Sequence, residues 1–352
     1  MSDAPMPRRQ FASDNWAAIC PEALAALHEA NAGHAPSYGA DPWTAEAVRL
    51  IREVFGTECE VFLVFNGTAA NSLALASLCE PFESVLCHEH AHIANDECGA
   101  PGFFAHGTSL VPLAGAGGKL APETIALAAS RRSDVHHPSV RAVSLTQSTE
   151  LGTAYTPAEL RTLADTAHRL GLHLHMDGAR FANAVASLGC KPREVTWEAG
   201  VDVLCFGGTK NGSPVGDAVV FFNRELAHEF DYRCKQSGQL ASKMRFLSAP
   251  WVGMLKNNVW LRHAGHANAM ATLMHDELVK LPELRLMFPR QANAVFVEMP
   301  PWLIVALRAA GWKFYTFIGQ GGCRLMCAWD TTEQDVDEFT TDLKGLLVTG
   351  QG

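Results

Sequence analysis

Short apolar runs and amphipathic stretches alternate from about residue 44 to residue 225, and this pattern constrains the fold more than any other feature of the chain. The apolar runs predict strands at residues 61–65, 84–87, 142–146, 172–176, 201–206 and 218–222. The stretches between them predict helices, among them 44–55, 69–78 and 157–170. This alternation favours an α/β fold in which a mostly parallel sheet carries helices on both faces. Ligands of such sheets bind beyond the carboxyl ends of the strands.

The sequence changes character after about residue 225. It predicts a long helical stretch at 242–281, a strand at 294–299, a helix that ends at Ala310, a strand at 324–329 and a helix at 333–347. We therefore expect a large domain over residues 1–225, including an N-terminal segment 1–43. Residues 226–352 would form the linking long helix and a small C-terminal α+β domain.

Charge and cysteine content narrow the class of protein. The 352 residues carry a formal net charge of −9, and no run of basic residues is longer than a pair. Binding to nucleic acid or to an anionic membrane is therefore not expected, although single arginines could select a small anionic substrate. The ten cysteines form no C-x-x-C motif, and no apolar run has the length of a transmembrane helix or a signal peptide. These features predict a reduced, soluble protein of the cytoplasm.

Asp177 and Lys210 each follow an apolar run, and about one strand–helix–strand unit separates them. Such a pair suits a pyridoxal phosphate enzyme, because the lysine amine forms a Schiff base with the cofactor and the carboxylate pairs with its protonated pyridine nitrogen. Gly67-Thr68, between a predicted strand and a predicted helix, would bind the phosphate at a helix N-terminus. Taken singly, these residues also fit a capped strand end, a solvated lysine and a tight turn.

His88, His90 and His92 alternate after another predicted strand. If that strand continued, three imidazoles would share one face and could bind a transition metal, as in a metal-dependent hydrolase. The strand is expected to end near Cys87, however, which would place the histidines in a loop. They would then be ordinary surface or core residues, or one of them would stack on a flat cofactor. We expect no metal.

The assembled motifs resemble those of the low-specificity threonine aldolases, which are pyridoxal phosphate-dependent lyases of fold type I, the aspartate aminotransferase-like fold. The resemblance covers nearly the whole chain, from residues 13–14 to residues 324–325. The matching stretches are 13–14, 38–42, 66–71, His92 with Glu97, 175–180, 209–210 and 256–259.

This resemblance implies a role for individual residues. Lys210 would form the Schiff base, Asp177 would pair with the pyridine nitrogen, and His92 would stack on the ring. The further cofactor contacts would come from Gly67, Thr68, Arg180 and Thr209. The substrate would be bound by Ser13, Tyr38, Arg180 and Arg324, since an arginine offers a carboxylate two parallel donors. Without the resemblance, Arg324 fits a salt bridge at a strand edge equally well.

One stretch departs from the family pattern. Where many relatives have a histidine in an E-N-T-H-N-G segment, this chain reads Gln147-Ser148-Thr149-Glu150-Leu151-Gly152. The histidine of the relatives lies near the substrate's β-hydroxyl. We therefore predict that Glu150 is catalytic in its place, and that the substitution alters how the hydroxyl is recognised.

The predicted function is cleavage of the Cα–Cβ bond of β-hydroxy-α-amino acids, of the threonine, allo-threonine or phenylserine type, to glycine and an aldehyde. One alternative is another fold type I activity, such as β-elimination, racemisation or transamination. A second, from a different class, is a metal-dependent hydrolase that uses His88, His90 and His92. A catalytically inactive binding protein is disfavoured by the number of intact motifs. The resemblance also implies a homo-oligomer, a dimer or a tetramer, whose neighbouring subunits complete the site.

Overall fold

The computed structural model describes residues 9–130 and 134–350, so the parts of the predicted domains at residues 1–8, 131–133 and 351–352 lie outside the described residues. Seven strands form the larger of two sheets. They are β1 (Glu60–Val64), β2 (Glu83–His88), β3 (Ser109–Leu113), β4 (Ser139–Thr146), β5 (His173–Gly178), β6 (Val203–Gly207) and β7 (Asp217–Phe221).

The strand order across this sheet is β1-β7-β6-β5-β4-β2-β3. Parallel pairing joins β3, β2, β4, β5 and β6, whereas β7 runs antiparallel to both of its neighbours. The sheet is therefore mostly parallel, which confirms the predicted fold class. Because β7 runs in the opposite direction, its first residue, Asp217, lies at the edge where the parallel strands have their carboxyl ends.

Helices pack on both faces of the sheet. They are α1 (Pro21–Ala30), α2 (Pro42–Phe55), α3 (Gly67–Leu78), α4 (His92–Asn95), α5 (Ala100–Phe104), α6 (Pro122–Ala129), α7 (Pro157–Arg169), α8 (Phe181–Leu188), α9 (Phe230–Gln236), α10 (Arg245–Leu255), α11 (Val259–Leu278), α12 (Pro301–Ala309) and α13 (Glu333–Thr349). Alternate residues of β6 enter two different cores: Leu204 and Phe206 pack with α2, α8 and α10, whereas Val203 and Cys205 pack with α3 and α9. Within residues 9–130 and 134–350, none of the helices combines the length and apolarity needed to cross a bilayer.

A second, antiparallel sheet follows in the C-terminal part, in the order β10-β11-β9-β8. Its strands are β8 (Arg285–Leu286), β9 (Ala294–Glu298), β10 (Tyr315–Ile318) and β11 (Gly322–Met326). Phe11, from the beginning of the chain, packs in this core against the rings of Trp312 and Phe339. The division into residues 1–225 and 226–352 stays a prediction.

The prediction of one continuous helical stretch at 242–281 is wrong. The chain forms α10 and α11 with a 3₁₀ turn at Lys256–Asn258 between them. Asn257 and Asn258 both have a φ of 54°, a left-handed conformation that asparagine tolerates better than most residues and that interrupts a right-handed helix.

Strand β3 was absent from the sequence-based prediction. It contains Pro112, which cannot donate a backbone hydrogen bond. The strand forms because it lies at the edge of the sheet, where it pairs with β2 on one side.

The ends of β5 and β6 approach each other backbone to backbone at Gly207. A Cβ at this residue would lie 2.7 Å from both Cα and the carbonyl oxygen of Ala179. We expect Gly207→Ala to force the two strand ends apart and to lower the free energy of unfolding by about 1–3 kcal/mol. Gly345→Ala in α13, where nothing lies within 4 Å of the added methyl group, should be neutral or stabilising. Thermal unfolding of both variants checks this, and equal melting temperatures would contradict it.

Candidate active site

A cavity of about 290 Å³ opens at the carboxyl ends of the parallel strands. Seven residues singled out in the sequence line it: Gly67, Thr68, His92, Glu150, Asp177, Thr209 and Lys210. Their convergence follows from the topology, because β5 ends at Asp177-Gly178, β6 leads into Thr209-Lys210, and α3 begins at Gly67. The lining further includes Asn15, Asn66, Asn71, Glu97, Ala179 and Asp217.

The Asp177 carboxylate is buried and held from two sides. Its Oδ2 accepts a hydrogen bond of 2.9 Å from Nδ2 of Asn71, and its Oδ1 accepts one of 3.0 Å from the backbone N–H of Ala179. Asn71 Nδ2 also donates to Oε1 of Glu97 at 2.9 Å. The amide group of Asn71 therefore links two buried carboxyl groups and fixes the orientation of Asp177.

His92 stands at the start of α4 and hydrogen-bonds through Nδ1 to Oε1 of Glu97 at 2.8 Å. This hydrogen bond raises the pKa of His92 above its ordinary value, although burial acts in the opposite direction. Burial in turn raises the pKa of Glu97. The imidazole is one-third exposed, so it is anchored on one side while the remainder of the ring borders the cavity.

The other two histidines of the alternating trio do not join His92. His88 ends β2, where its Nδ1 accepts from the backbone N–H of His90 and its Nε2 donates to the carbonyl oxygen of Gly115 at 2.9 Å. His90 is exposed. In the described part of the chain, the side chains close enough to share a metal ion are Cys20, Glu22 and His263 instead. The geometry thus gives no support to a metal site made by His88, His90 and His92.

Lys210 lies half-buried in a 3₁₀ turn, Thr209–Asn211, directly after β6. Its amine has neither a hydrogen bond nor an ion pair with any residue in the described ranges. The turn is held by Asp217, whose Oδ1 accepts a hydrogen bond of 2.9 Å from the backbone N–H of Gly208. Asp217 was not among the site residues predicted from the sequence; the available signal was a carboxylate that opens an otherwise apolar strand.

Arg180 is buried in a bidentate ion pair with Asp14. Its Nε and Nη2 donate to the two carboxylate oxygens at 2.7 and 3.0 Å, and Asn293 adds a third donor to Asp14 at 3.2 Å. Burial raises the pKa of Asp14, but Arg180 outweighs it and holds the pKa below its ordinary value. Arg180 is therefore already engaged by a carboxylate of the chain, a partner that sequence analysis did not identify.

Arg324 lies on β11, half-buried beside the rings of Tyr315 and Phe317. It donates to the carbonyl oxygen of Ala12 at 3.4 Å, while its Nε is buried without a hydrogen-bond partner in the described residues. Burial and the positive charge of Arg180 lower its pKa. An incoming carboxylate would relieve this unfavourable state.

Two further predicted substrate residues have other contacts. Ser13 accepts a hydrogen bond from the backbone N–H of Asn15 at 3.1 Å and thereby caps the 3₁₀ turn Asp14–Trp16. Tyr38 is half-exposed, and the ammonium group of Lys235 lies 4.5 Å from the centre of its ring. Among the described residues that line the cavity, Ser13, Tyr38, Arg180 and Arg324 do not appear.

The chain is similar in sequence and in structure to known proteins. The model of the beta-eliminating lyase family matches residues 10–300. The chain is 57% identical over 339 residues to a low specificity L-threonine aldolase of a Pseudomonas species, covering 96% of this chain and 98% of the relative. It is 58% identical over 342 residues to the protein of that name from Pseudomonas aeruginosa, covering 97% and 98%. A solved threonine aldolase from Leishmania major has a TM-score of 0.90 at 28% identity, covering 96% and 99%.

The Asp14–Arg180 pair leads to a prediction about stability. Asp14→Ala leaves a buried guanidinium without its counter-charge, and we expect a loss of about 3–5 kcal/mol in the free energy of unfolding. Glu46→Ala is the matched control, because Glu46 pairs with the exposed Arg49 at the surface and should contribute far less. Urea denaturation measures both, and similar midpoints for the two variants would contradict the expectation.

The same pair predicts a pH dependence. Since the pKa of Asp14 is lowered on folding, its contribution is present above the ordinary value of 3.8 and is lost as the pH falls below it. The difference between wild type and Asp14→Ala should shrink in that range.

Proposed function

The chain belongs to the low-specificity L-threonine aldolases of the beta-eliminating lyase family, and we propose that it cleaves the Cα–Cβ bond of β-hydroxy-α-amino acids to glycine and an aldehyde. The observation that supports this most strongly is that the amine of Lys210 and the buried carboxylate of Asp177 face one cavity. A lysine and a carboxylate in that relation are what a pyridoxal phosphate enzyme requires.

The cavity residues fit pyridoxal phosphate. The amine of Lys210 is free to bind the aldehyde of the cofactor, and Asp177 can hold a proton on the pyridine nitrogen. The first turn of α3, which begins at Gly67-Thr68 behind the N-cap Asn66, offers backbone N–H groups to a phosphate. His92, anchored by Glu97, offers a flat ring for stacking.

Pyridoxal phosphate, when bound, supplies an aldehyde that joins the substrate amine and an electron-poor ring that takes up the electron pair left at Cα. Asp177 would pair with the protonated nitrogen, and the hydrogen bonds from Asn71 and Ala179 hold its side chain in position for this contact. Thr209 and Lys210 are kept in position by the hydrogen bond between Gly208 and Asp217.

Arg324 is proposed as the main partner of the substrate carboxylate. Its Nε is buried without a partner, whereas the donors of Arg180 already meet Asp14. Arg180 would act beside it as a fixed positive charge, and Ser13 would contribute from the adjoining segment. A carboxylate clamp fixes which bond at Cα stands across the ring plane, so these residues select bond cleavage over racemisation or transamination.

Glu150 is proposed as the base for the substrate's β-hydroxyl. It borders the cavity together with Lys210 and Asp177. As a carboxylate it would accept the hydroxyl proton, directly or through a water, so that the oxygen becomes the aldehyde oxygen while the Cα–Cβ bond breaks. Tyr38, half-exposed beside Lys235, would approach a substrate only through rearrangement or from a neighbouring subunit.

We further propose that the protein forms a homo-oligomer and functions in the cytoplasm. Trp16, Tyr38 and Phe65, which adjoin cavity residues or the predicted substrate set, are each about half-exposed, and a second copy of the chain would cover such apolar rings. All ten cysteines are free thiols, and most are buried, which fits a reducing compartment.

Covalent trapping tests the assignment of Lys210. Wild type incubated with pyridoxal phosphate should turn yellow, and borohydride should fix the cofactor to a peptide that contains Lys210. Lys210→Ala should release no glycine from threonine, while the exposed Lys280→Ala should behave as wild type. Label on a peptide without Lys210 would contradict the assignment, and a colourless protein whose activity is lost with chelator would favour the metal-dependent alternative.

Substitution at Glu150 tests the base. Glu150→Gln keeps the size of the side chain but removes the charge, and we expect the turnover rate to fall by about 10²–10⁴-fold. Glu150→His should restore part of the rate and change the preference between threonine and allo-threonine. Steady-state rates against pH measure both effects. If both variants kept the rate, the preference and the pH profile of wild type, Glu150 would have no part in the chemistry.

A further inference from the structure

Asp217 brings an acidic group to the place where the helix N-terminus would bind an anion. The residue opens β7, and only 5% of it is exposed. Its Oδ1 is used by the N–H of Gly208 at 2.9 Å, with Thr209 N and Oγ1 farther away at 3.5 Å. Its Oδ2 points to Gly67, where a Cβ would lie 3.1 Å from this oxygen. Within the described residues, Oδ2 accepts and donates no hydrogen bond.

This position conflicts with simple charge complementarity. An ionised carboxylate beside a phosphate would repel it, and the first turn of α3 contributes only a partial positive charge. The cavity also contains the acidic groups Glu97, Glu150 and Asp177, against the positive group Lys210 and the titratable His92. A protonated Asp217 resolves the conflict, because a carboxylic acid donates a hydrogen bond through one oxygen while the other still accepts from Gly208.

We propose that Asp217 is a proton-dependent ligand of the cofactor phosphate, donating a hydrogen bond from its Oδ2–H to a phosphate oxygen next to Gly67. The inference rests on the proposed function, since it concerns the phosphate of the same cofactor. Binding of the phosphate therefore takes up a proton at Asp217, and loss of that proton weakens binding.

The direction of the pH dependence follows from the charges around the carboxyl group. Burial is the largest influence and raises the pKa of Asp217; the N–H groups of Gly208 and Thr209 and the charge of Lys210 oppose it, and Asp177 adds to it. A bound phosphate anion raises this pKa further. Affinity is then highest below the pKa of the cofactor-free protein and falls above it, by up to about tenfold per pH unit.

The variant Asp217→Asn distinguishes proton-dependent binding of the phosphate from the support that Asp217 gives to the Lys210 turn. The amide keeps an oxygen for Gly208 and provides a permanent N–H donor toward Gly67, so the variant mimics the protonated acid at every pH. The cofactor-free protein is titrated with pyridoxal phosphate and, separately, with pyridoxal, which has no phosphate group. Absorbance gives both dissociation constants from about pH 6 to about pH 9.

The ratio of the two affinities isolates the phosphate and cancels the chemistry at Lys210. For wild type, we expect the preference for pyridoxal phosphate over pyridoxal to decrease with rising pH. For Asp217→Asn it should stay level or rise, because a permanent N–H donor favours the fully ionised phosphate, and it should exceed that of wild type by about tenfold or more at the alkaline end. A change in the affinity for pyridoxal would report on the turn that carries Lys210, and it cancels in this ratio.

Identical pH profiles of the ratio, or a weaker phosphate preference in Asp217→Asn at all pH values, would overturn the inference and leave Asp217 as a support for the lysine turn alone. If Asp217→Asn does not fold, calorimetry of wild type in two buffers of different ionisation enthalpy decides. At about pH 8, pyridoxal phosphate should bind with about one more proton taken up than pyridoxal, and equal uptake would overturn the inference.

Failure of the proposed function gives a different result. In that case wild type would bind neither compound at Lys210, and borohydride would fix no cofactor at this residue. A wild type that binds pyridoxal phosphate at Lys210 with an unaltered phosphate preference in Asp217→Asn contradicts only the role of Asp217.

Discussion

The side-chain amide of Asn71 is the contact on which the arrangement of the site depends. Two buried carboxyl groups, Asp177 from β5 and Glu97 from the segment after α4, each accept one of its two N–H bonds. Without this bridge both carboxyl groups would lose a donor in a region closed to water, which is costly. Asn71 lies in α3, and nearly all the small side chains of this helix are buried. The packing of the helix therefore fixes the position of the amide. The same helix begins at Gly67, so the proposed phosphate site and the proposed ring partner are parts of one rigid unit.

The cavity beside this unit is lined by several acidic side chains. Glu97, Glu150, Asp177 and Asp217 border it, although a phosphate and a carboxylate are its proposed ligands. The positive groups are separated from one another. Lys210 lines the cavity, whereas Arg180 and Arg324 contact Asp14 and Ala12 of the N-terminal segment. Glu97, Asp177 and Asp217 each accept a hydrogen bond from a particular donor, whereas Glu150 has none within the described residues. Selectivity for an anionic ligand would then depend on where each charge lies.

The parts that could be predicted from the sequence are those with a local signal. Asp177 and Lys210 end apolar runs, Gly67-Thr68 opens a helix, and a mostly parallel sheet necessarily brings such ends together. Three side-chain contacts depend on how the chain packs, so no periodicity in the sequence predicts them. They join Asp14 to Arg180, Asn71 to Asp177, and Gly208 to Asp217. The break between α10 and α11 was missed for a different reason: the backbone conformation of Asn257 and Asn258 changes neither the apolar pattern nor the helix propensity enough to be recognised.

The N-terminal segment connects the two ends of the chain. Phe11 donates its backbone N–H to Lys313 and accepts from Met326, and three residues later Asp14 receives Asn293 as well as Arg180. During synthesis on the ribosome, residues 11–14 emerge long before their partners at 293–326. The large sheet can assemble as it is translated, whereas Asn293, Lys313 and Met326, which hold residues 11–14 in place, become available only later. A chain that stops before residue 293 would thus contain every residue of the cavity lining and still lack both Arg324 and the contacts that hold residues 11–14.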